Sequence, residues 1–299
     1  MPSILSGACF QQSLTRRNGI KLGLSAVFAS FVQAAESTAA VPEMTANIPS
    51  RSPVALKGSE FVEFISGMDR PQREQAILTQ ILDGNLPSFL RKLVPVRLGH
   101  KAADGKTLAA TIFVMPEYLA IGSDTDFLRI PMNLHTATAI ADRFRCVLPT
   151  RKVVDAVYEQ STYHFAPQPM QAGPGMTSTQ YYRTHNEMIE QQARERGFSE
   201  GALVAGHKKD VVISNRLATR PTQIAIYGWH RGVGAPIQPL STVHGAGYAD
   251  YSHGIRLVSE TVMIHGKPRW IYDILRDSSL AQVLSDEGSI SVAAALGHA

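Results

Sequence analysis

A chain of 299 residues, 44% of them hydrophobic, is long enough to bury one large core or two smaller ones. Its 29 basic and 25 acidic residues give a formal charge of +4, but Arg16, Arg17 and Lys21 lie in a leading segment of 34 residues without Asp or Glu; beyond it, 26 basic residues face 25 acidic ones. That balance gives no reason to expect nucleic-acid binding, which needs a basic face, and with Cys9 in the leader only Cys146 follows, which excludes a disulfide framework.

The leader has three parts. Thr15-Arg16-Arg17-Asn18-Gly19-Ile20-Lys21 precedes the apolar run Leu22 to Val32, and Val32-Gln33-Ala34 puts small residues where a signal peptidase reads. This layout predicts a secretory signal over residues 1–34, and the paired arginine resembles the twin-arginine type. The apolar run is short for a bilayer, so no permanent membrane span is expected. Leu5-Ser6-Gly7-Ala8-Cys9 has the look of a lipoprotein box but precedes the apolar run instead of following it. A periplasmic or secreted location follows.

Residues 35–59, rich in Ser, Thr, Ala and Pro without an apolar period, read as a flexible tether, and residues 60–299 as the working domain. Asp69 and Gln72 form a capping-box start for a helix whose stripe is Ile77, Leu78, Ile81 and Leu82. Gly84 and Pro87 stop it, and a short second helix starts at Ser88-Phe89-Leu90. Val94 to Leu98, Thr107 to Met115, Tyr118 to Ile121 and Phe127 to Ile130 read as strands, with Asp104-Gly105 turning the first pair. Ser123-Asp124-Thr125-Asp126 reads as a turn, in preference to a calcium site. Asn133 and Thr150 cap two more helices, and Cys146 between them reads as a buried thiol. Ala166 to Gly175 is a Pro/Gly-rich loop, followed by a polar surface helix from Ser178 to Arg196. His207-Lys208-Lys209-Asp210 reads as a solvated strand entry. Beyond it, Asp210 to Ser214, Gln223 to Tyr227, Ile255 to Ile264 and Arg269 to Tyr272 read as strands, the last two joined at His265-Gly266-Lys267-Pro268, and Ser279 to Leu284 as a helical end. The fold class expected is a single α+β domain with a mixed N-terminal half and a β-rich C-terminal half.

Chemistry concentrates late in the chain. His230, His244, His253 and His265 fall close together, among Tyr227, Trp229, Tyr248, Asp250, Tyr251, Ser252 and Arg256. Titratable and aromatic residues at strand ends are where a rigid sheet presents reactive groups. Two chemistries fit. In one, His253 is a general base oriented by Asp250, His244 or a nearby carbonyl, His230 completes the site, and Arg256 holds a carboxylate or oxyanion. Ser252 is the nearest nucleophile in sequence, although neighbours on a strand point to opposite faces, which leaves Ser241 and Ser214 as alternatives. In the other, His230, His244, Asp250 and His253 supply the ligand types that suit zinc.

Ser252-His253-Gly254-Ile255-Arg256-Leu257 resembles the Ser-His-Gly-Cys-Ile-Arg-Leu motif of L,D-transpeptidases, which remodel peptidoglycan cross-links, and Ile224 to His230 resembles the strand and histidine that precede it there. The family's catalytic cysteine is absent, because Gly254 runs straight into Ile255. The resemblance therefore carries over Ser252, His253, Gly254 and Arg256 and not the thiol chemistry. The block Ile224 to Val258 also resembles a family of exported bacterial proteins of unknown function. Two functions are expected from these features. One is an exported hydrolase cleaving an amide or similar bond in a cell-wall peptide or other extracytoplasmic polymer. The alternative is a non-enzymatic binding protein using Tyr227, Trp229, Tyr248 and Tyr251 as a carbohydrate or peptide platform.

Overall fold

The computed structural model describes residues 42–101 and 105–296. The signal segment, the start of the tether and Asp104 lie outside the described residues. The tether reading is corrected from Met44 onward. Strand β1 (Met44–Thr45) pairs antiparallel with Lys92 and Leu93, and the Arg51 guanidinium binds Asn85 Oδ1 at 2.9 Å and the Ala55 carbonyl at 2.7 Å. Helix α1 (Gly58–Ile65) then starts where tether was expected. Lys92, Leu93 and Asn85 are distant in sequence, so no local period announces them.

Helix α2 (Arg70–Leu82) begins with the expected capping box: Asp69 Oδ1 accepts the Gln72 N–H at 2.9 Å, and Gln72 Oε1 accepts that of Asp69 at 3.1 Å. A single 3₁₀ turn follows at Ser88–Arg91. Strands β2 (Lys92–Lys101) and β3 (Thr107–Val114) form a long antiparallel pair, and β4 (Ala120–Gly122) and β5 (Phe127–Arg129) a short one. Asp124 and Asp126 act as turn caps, Asp124 on Ser88 and Asp126 on the first turn of α1 at Ser59. Asn133 and Thr150 cap α3 (Leu134–Arg143) and α4 (Arg151–Gln160) through the backbone N–H groups of Thr136 and Val153. Between them Cys146 sits in β6 (Cys146–Val147), and burial, helped by Glu260, pushes its thiol up to about 12. The native protein should therefore resist iodoacetamide at pH 8 and become alkylated once unfolded in urea, as read by intact mass.

After β7 (Tyr163–His164) and the Pro/Gly-rich loop, α5 (Thr179–Glu195) departs from the expected surface helix. Its inner face buries Tyr182, His185, Asn186, Ile189 and Ala193, of which His185 and Asn186 are polar, so the apolar stripe looks thin in sequence although the helix is packed. It is followed by β8 (Val204–Ala205), β9 (Lys209–Val211), β10 (Ile226–His230), β11 (Pro236–Ser241), β12 (His253–Gly254), β13 (Val258–Ser259), β14 (Thr261–Ile264) and β15 (Lys267–Trp270). The single strand expected over Ile255 to Ile264 is broken. Ile255 and Leu257 give their carbonyls to the N–H groups of Leu119 and Met115 as the chain crosses between two sheets. His265 and Gly266, with φ of 47° and 73°, form the tight turn of the predicted hairpin. The last expected strand ends early, at Trp270, where α6 (Ile271–Arg276) begins; a 3₁₀ turn over Ala281–Val283 and α7 (Val292–Leu296) close the described chain.

The strands make a seven-stranded sheet, ordered β1-β2-β3-β13-β6 with β14 and β15 branching from β3, and a four-stranded sheet, ordered β11-β10-β9-β12. With the helices packed on them they form a mixed α+β single domain, as expected, around one large core with two smaller apolar clusters beside it. No helix among the described residues is long and apolar enough to cross a membrane.

Candidate functional site

The four-stranded sheet sorts the candidate residues onto two faces. Lys209 lies beside His253 on β12 and Gly228 on β10, while Asp210 lies beside Gly254 and Tyr227. Neighbouring residues in register share a face and successive ones alternate, so His253 and Lys209 share one face and Asp210 and Tyr227 the other. His230 would fall with His253 by simple alternation. It does not. Gly228 and Trp229 take φ of 106° and 56°, and the β10–β11 register shifts between Ile226 and Gly228. A bulky residue in the left-handed region is strained, and here it reverses the alternation. Trp229 turns toward the Lys209 side, its ring 4.9 Å from Lys209 Nζ, and His230 turns toward Tyr227, with ring centroids 5.7 Å apart. His230 is thereby parted from the other three ligands proposed for zinc, and the described residues hold no group of three or more His, Cys, Asp or Glu side chains placed to share a metal ion.

On the first face His253 is fully buried, and neither ring nitrogen has a hydrogen-bond partner. Tyr248 meets it edge-on at 5.7 Å and is itself stacked on His244 at 4.2 Å. Asp250 accepts hydrogen bonds from the Ser252 N–H at 2.8 Å, the Ser252 hydroxyl at 2.5 Å and the Tyr248 hydroxyl at 3.1 Å. Ser252 is thus engaged with Asp250 and is not paired with His253. Burial holds His253 below the usual histidine range despite the pull of the Asp250 charge. Burial alone would raise Asp250, but His253 and the two Ser252 donors outweigh it and lower its pKa. The result is a neutral imidazole beside a carboxylate, behind a half-buried Tyr–His pair.

The second face contains residues that the sequence reading missed. Asp155 of α4 accepts from His230 Nε2 at 2.9 Å and from the Tyr227 hydroxyl at 2.8 Å, and Tyr158 stacks on the His230 ring at 4.7 Å. Asp210 accepts from the Tyr118 hydroxyl at 2.8 Å; burial pushes its carboxyl up to about 6 against the counter-pull of Arg256. Arg256, expected to hold a substrate anion, is 1% exposed; its terminal nitrogens donate to the carbonyls of Met115 and Val204, both at 2.6 Å, and its guanidinium lies over Tyr118. It ties the end of β3 to β8. The solvated strand entry is likewise corrected: His207, Lys208 and Asp210 are all buried. Glu117 anchors this region, accepting from Arg129 Nε at 2.8 Å, His207 Nε2 at 3.0 Å and the Tyr118 N–H at 2.7 Å. Of the four aromatic residues offered as a platform, Tyr227, Trp229 and Tyr251 are buried and only Tyr248 reaches solvent in part.

Gly254 shows how tightly the two faces are built. A Cβ there would lie 2.6 Å from the Lys208 Cβ and 2.7 Å from the Tyr118 ring. Gly254→Ala should therefore destabilise the fold by about 1–3 kcal/mol, read as a lower urea midpoint. Two surface depressions, one of about 180 Å³ near Cys146 and Trp270 and one of about 560 Å³ near Arg97 and Gln160, lie away from these groups. No family model, curated protein or solved structure matches the chain.

Proposed function

We propose that the chain is an exported hydrolase that cleaves an amide or similar bond in a cell-wall peptide or other extracytoplasmic polymer, with His253 as its general base. The observation that carries this reading is an imidazole with both nitrogens unpartnered, held neutral by burial, next to the carboxylate of Asp250. A neutral, unengaged imidazole can take a proton from water as the water oxygen bonds to a carbonyl carbon. The C–N bond then breaks, and the same proton passes to the leaving nitrogen. Asp250 would stabilise the imidazolium between these steps. Substrate would reach His253 by displacing the stacked Tyr248–His244 pair. In this reading His230 and Arg256 are framework on the other face, and Ser252 positions Asp250. The export half of the proposal rests on the paired-arginine segment, and the cell-wall half on the resemblance around His253. The platform alternative has less support, since three of its four rings are buried.

Incubation with peptidoglycan and with soluble muropeptides, followed by mass spectrometry, should reveal new fragments. His253→Ala should reduce their rate of formation by about 10²–10⁴-fold in protein whose circular dichroism spectrum is still that of the folded parent, with some loss of melting temperature from the cavity left at this buried position. The acid limb of kcat/KM should fall below 6.5, the ordinary histidine value, because the base form persists to lower pH. Saturable binding without any fragment, or undiminished turnover in the variant, would overturn the proposal.

A further inference from the structure

Arg129, His207, Lys208 and His185 meet in the interior between α5 and β9, and each is at most 1% exposed. Their hydrogen bonds leave a one-sided remainder. Arg129 directs Nε to Glu117 and Nη1 to Asn186 and Glu190, while its Nη2 has no partner. Lys208 donates once, to the Tyr251 carbonyl at 2.7 Å. His207 uses Nε2 on Glu117 and leaves Nδ1 bare, and both nitrogens of His185 are bare. Tyr118 and His207 share one oxygen of Glu117, and Arg129 takes one lone pair of the other, which leaves a single lone pair there. The unused hydrogens are two on Arg129 Nη2, two on Lys208 and one on neutral His185, against that lone pair and one on each imidazole. Contacts link the four groups: Glu117 joins Arg129 to His207, Asn186 joins Arg129 to the helical turn that carries His185, and Tyr251 packs on the His185 ring at 5.1 Å and accepts from Lys208.

Buried polar atoms in native proteins are nearly always satisfied, and an unsatisfied group has a specific reason. Here the surplus is of donors, on side chains that include two cations. We infer that this enclosed cluster binds a small inorganic monoanion of halide size, held by Arg129 Nη2, Lys208 Nζ and His185. Enclosure argues for a single charge, because a second would multiply the cost of leaving water. The site lies apart from the proposed catalytic histidine and stands whether or not the chain is a hydrolase.

The test compares melting of the full-length chain in sodium chloride, sodium bromide and sodium gluconate at matched ionic strength. Both halides should give a saturable rise of about 5 °C that gluconate, too large to enter, does not. Lys208→Met should abolish most of that difference. A crystal grown in bromide, which needs no variant, should show an anomalous peak in contact with Arg129 Nη2 and Lys208 Nζ. An equal rise in gluconate, or a water at that position under saturating bromide, would overturn the inference.

Discussion

Glu117→Gln should cost the fold about 3–5 kcal/mol, the loss typical of breaking one side of a buried ion pair. The residue is fully buried and accepts three hydrogen bonds, two of them from Arg129 and His207. Burial raises its pKa, yet Arg129, His207 and Arg256 together outweigh that effect and hold the carboxyl well below the usual carboxylate range. An amide in its place removes the charge, keeps the volume and leaves Arg129 to the partly exposed Glu190 alone. The urea midpoint should fall accordingly. In the double variant Glu117→Gln/Arg129→Met the losses should be less than additive by about 0.5–3 kcal/mol, because the pair is removed together. A single-variant loss below about 1 kcal/mol would mean that the surroundings relax to solvate the arginine, against the burial of both partners.

The parts of this fold that were readable in the sequence are those whose physics is local. Asp69, Asn133 and Thr150 cap the helices they precede, because a cap needs only the next three residues. The His265–Gly266 turn and the β2–β3 pair were visible for the same reason. The segment His207-Lys208-Lys209-Asp210 was misread because charges in sequence ordinarily mark solvent. Its compensating partners, Glu117 and Tyr118, lie about ninety residues earlier. Asp155 was missed for a related reason: a single acidic residue on a helix gives no hint that a histidine from β10 will settle beside it. The candidate site was half legible. The density of histidines around Asp250 did locate a buried imidazole–carboxylate neighbourhood, but its division into two faces depends on the backbone at Trp229, which residue types do not encode. A tryptophan with positive φ is against the statistical preference of its side chain, so only tertiary packing could have put it there.

Lys208 should give the protein a stability that climbs with pH through the neutral and weakly alkaline range. Burial lowers its pKa from 10.5 to about 7 in the fold. Between these values the unfolded chain holds more protons than the native one, so stability increases as pH rises. From pH 7 to pH 9 the lysine alone should contribute a gain of about 2 kcal/mol. Asp210, whose pKa burial raises from 3.8 to about 6, works in the opposite sense and in a separate window: its contribution is greatest below 3.8 and is lost as pH rises through about 6. Buried Tyr118 and Tyr182, both raised by desolvation, oppose the lysine only above about pH 10. The comparison therefore belongs between 7 and 9, in gluconate buffer so that no halide stabilises the ammonium. Lys208→Met removes the titrating group at similar volume and should flatten the curve relative to the parent, although the Tyr251 carbonyl loses a donor and the absolute stability of the variant can shift either way. The slope is the decisive quantity, because it counts protons and is insensitive to packing. Parallel curves for the two proteins would show that Lys208 keeps its ordinary proton affinity inside the fold, and the donor-rich interior would then have to be wetter than its burial implies.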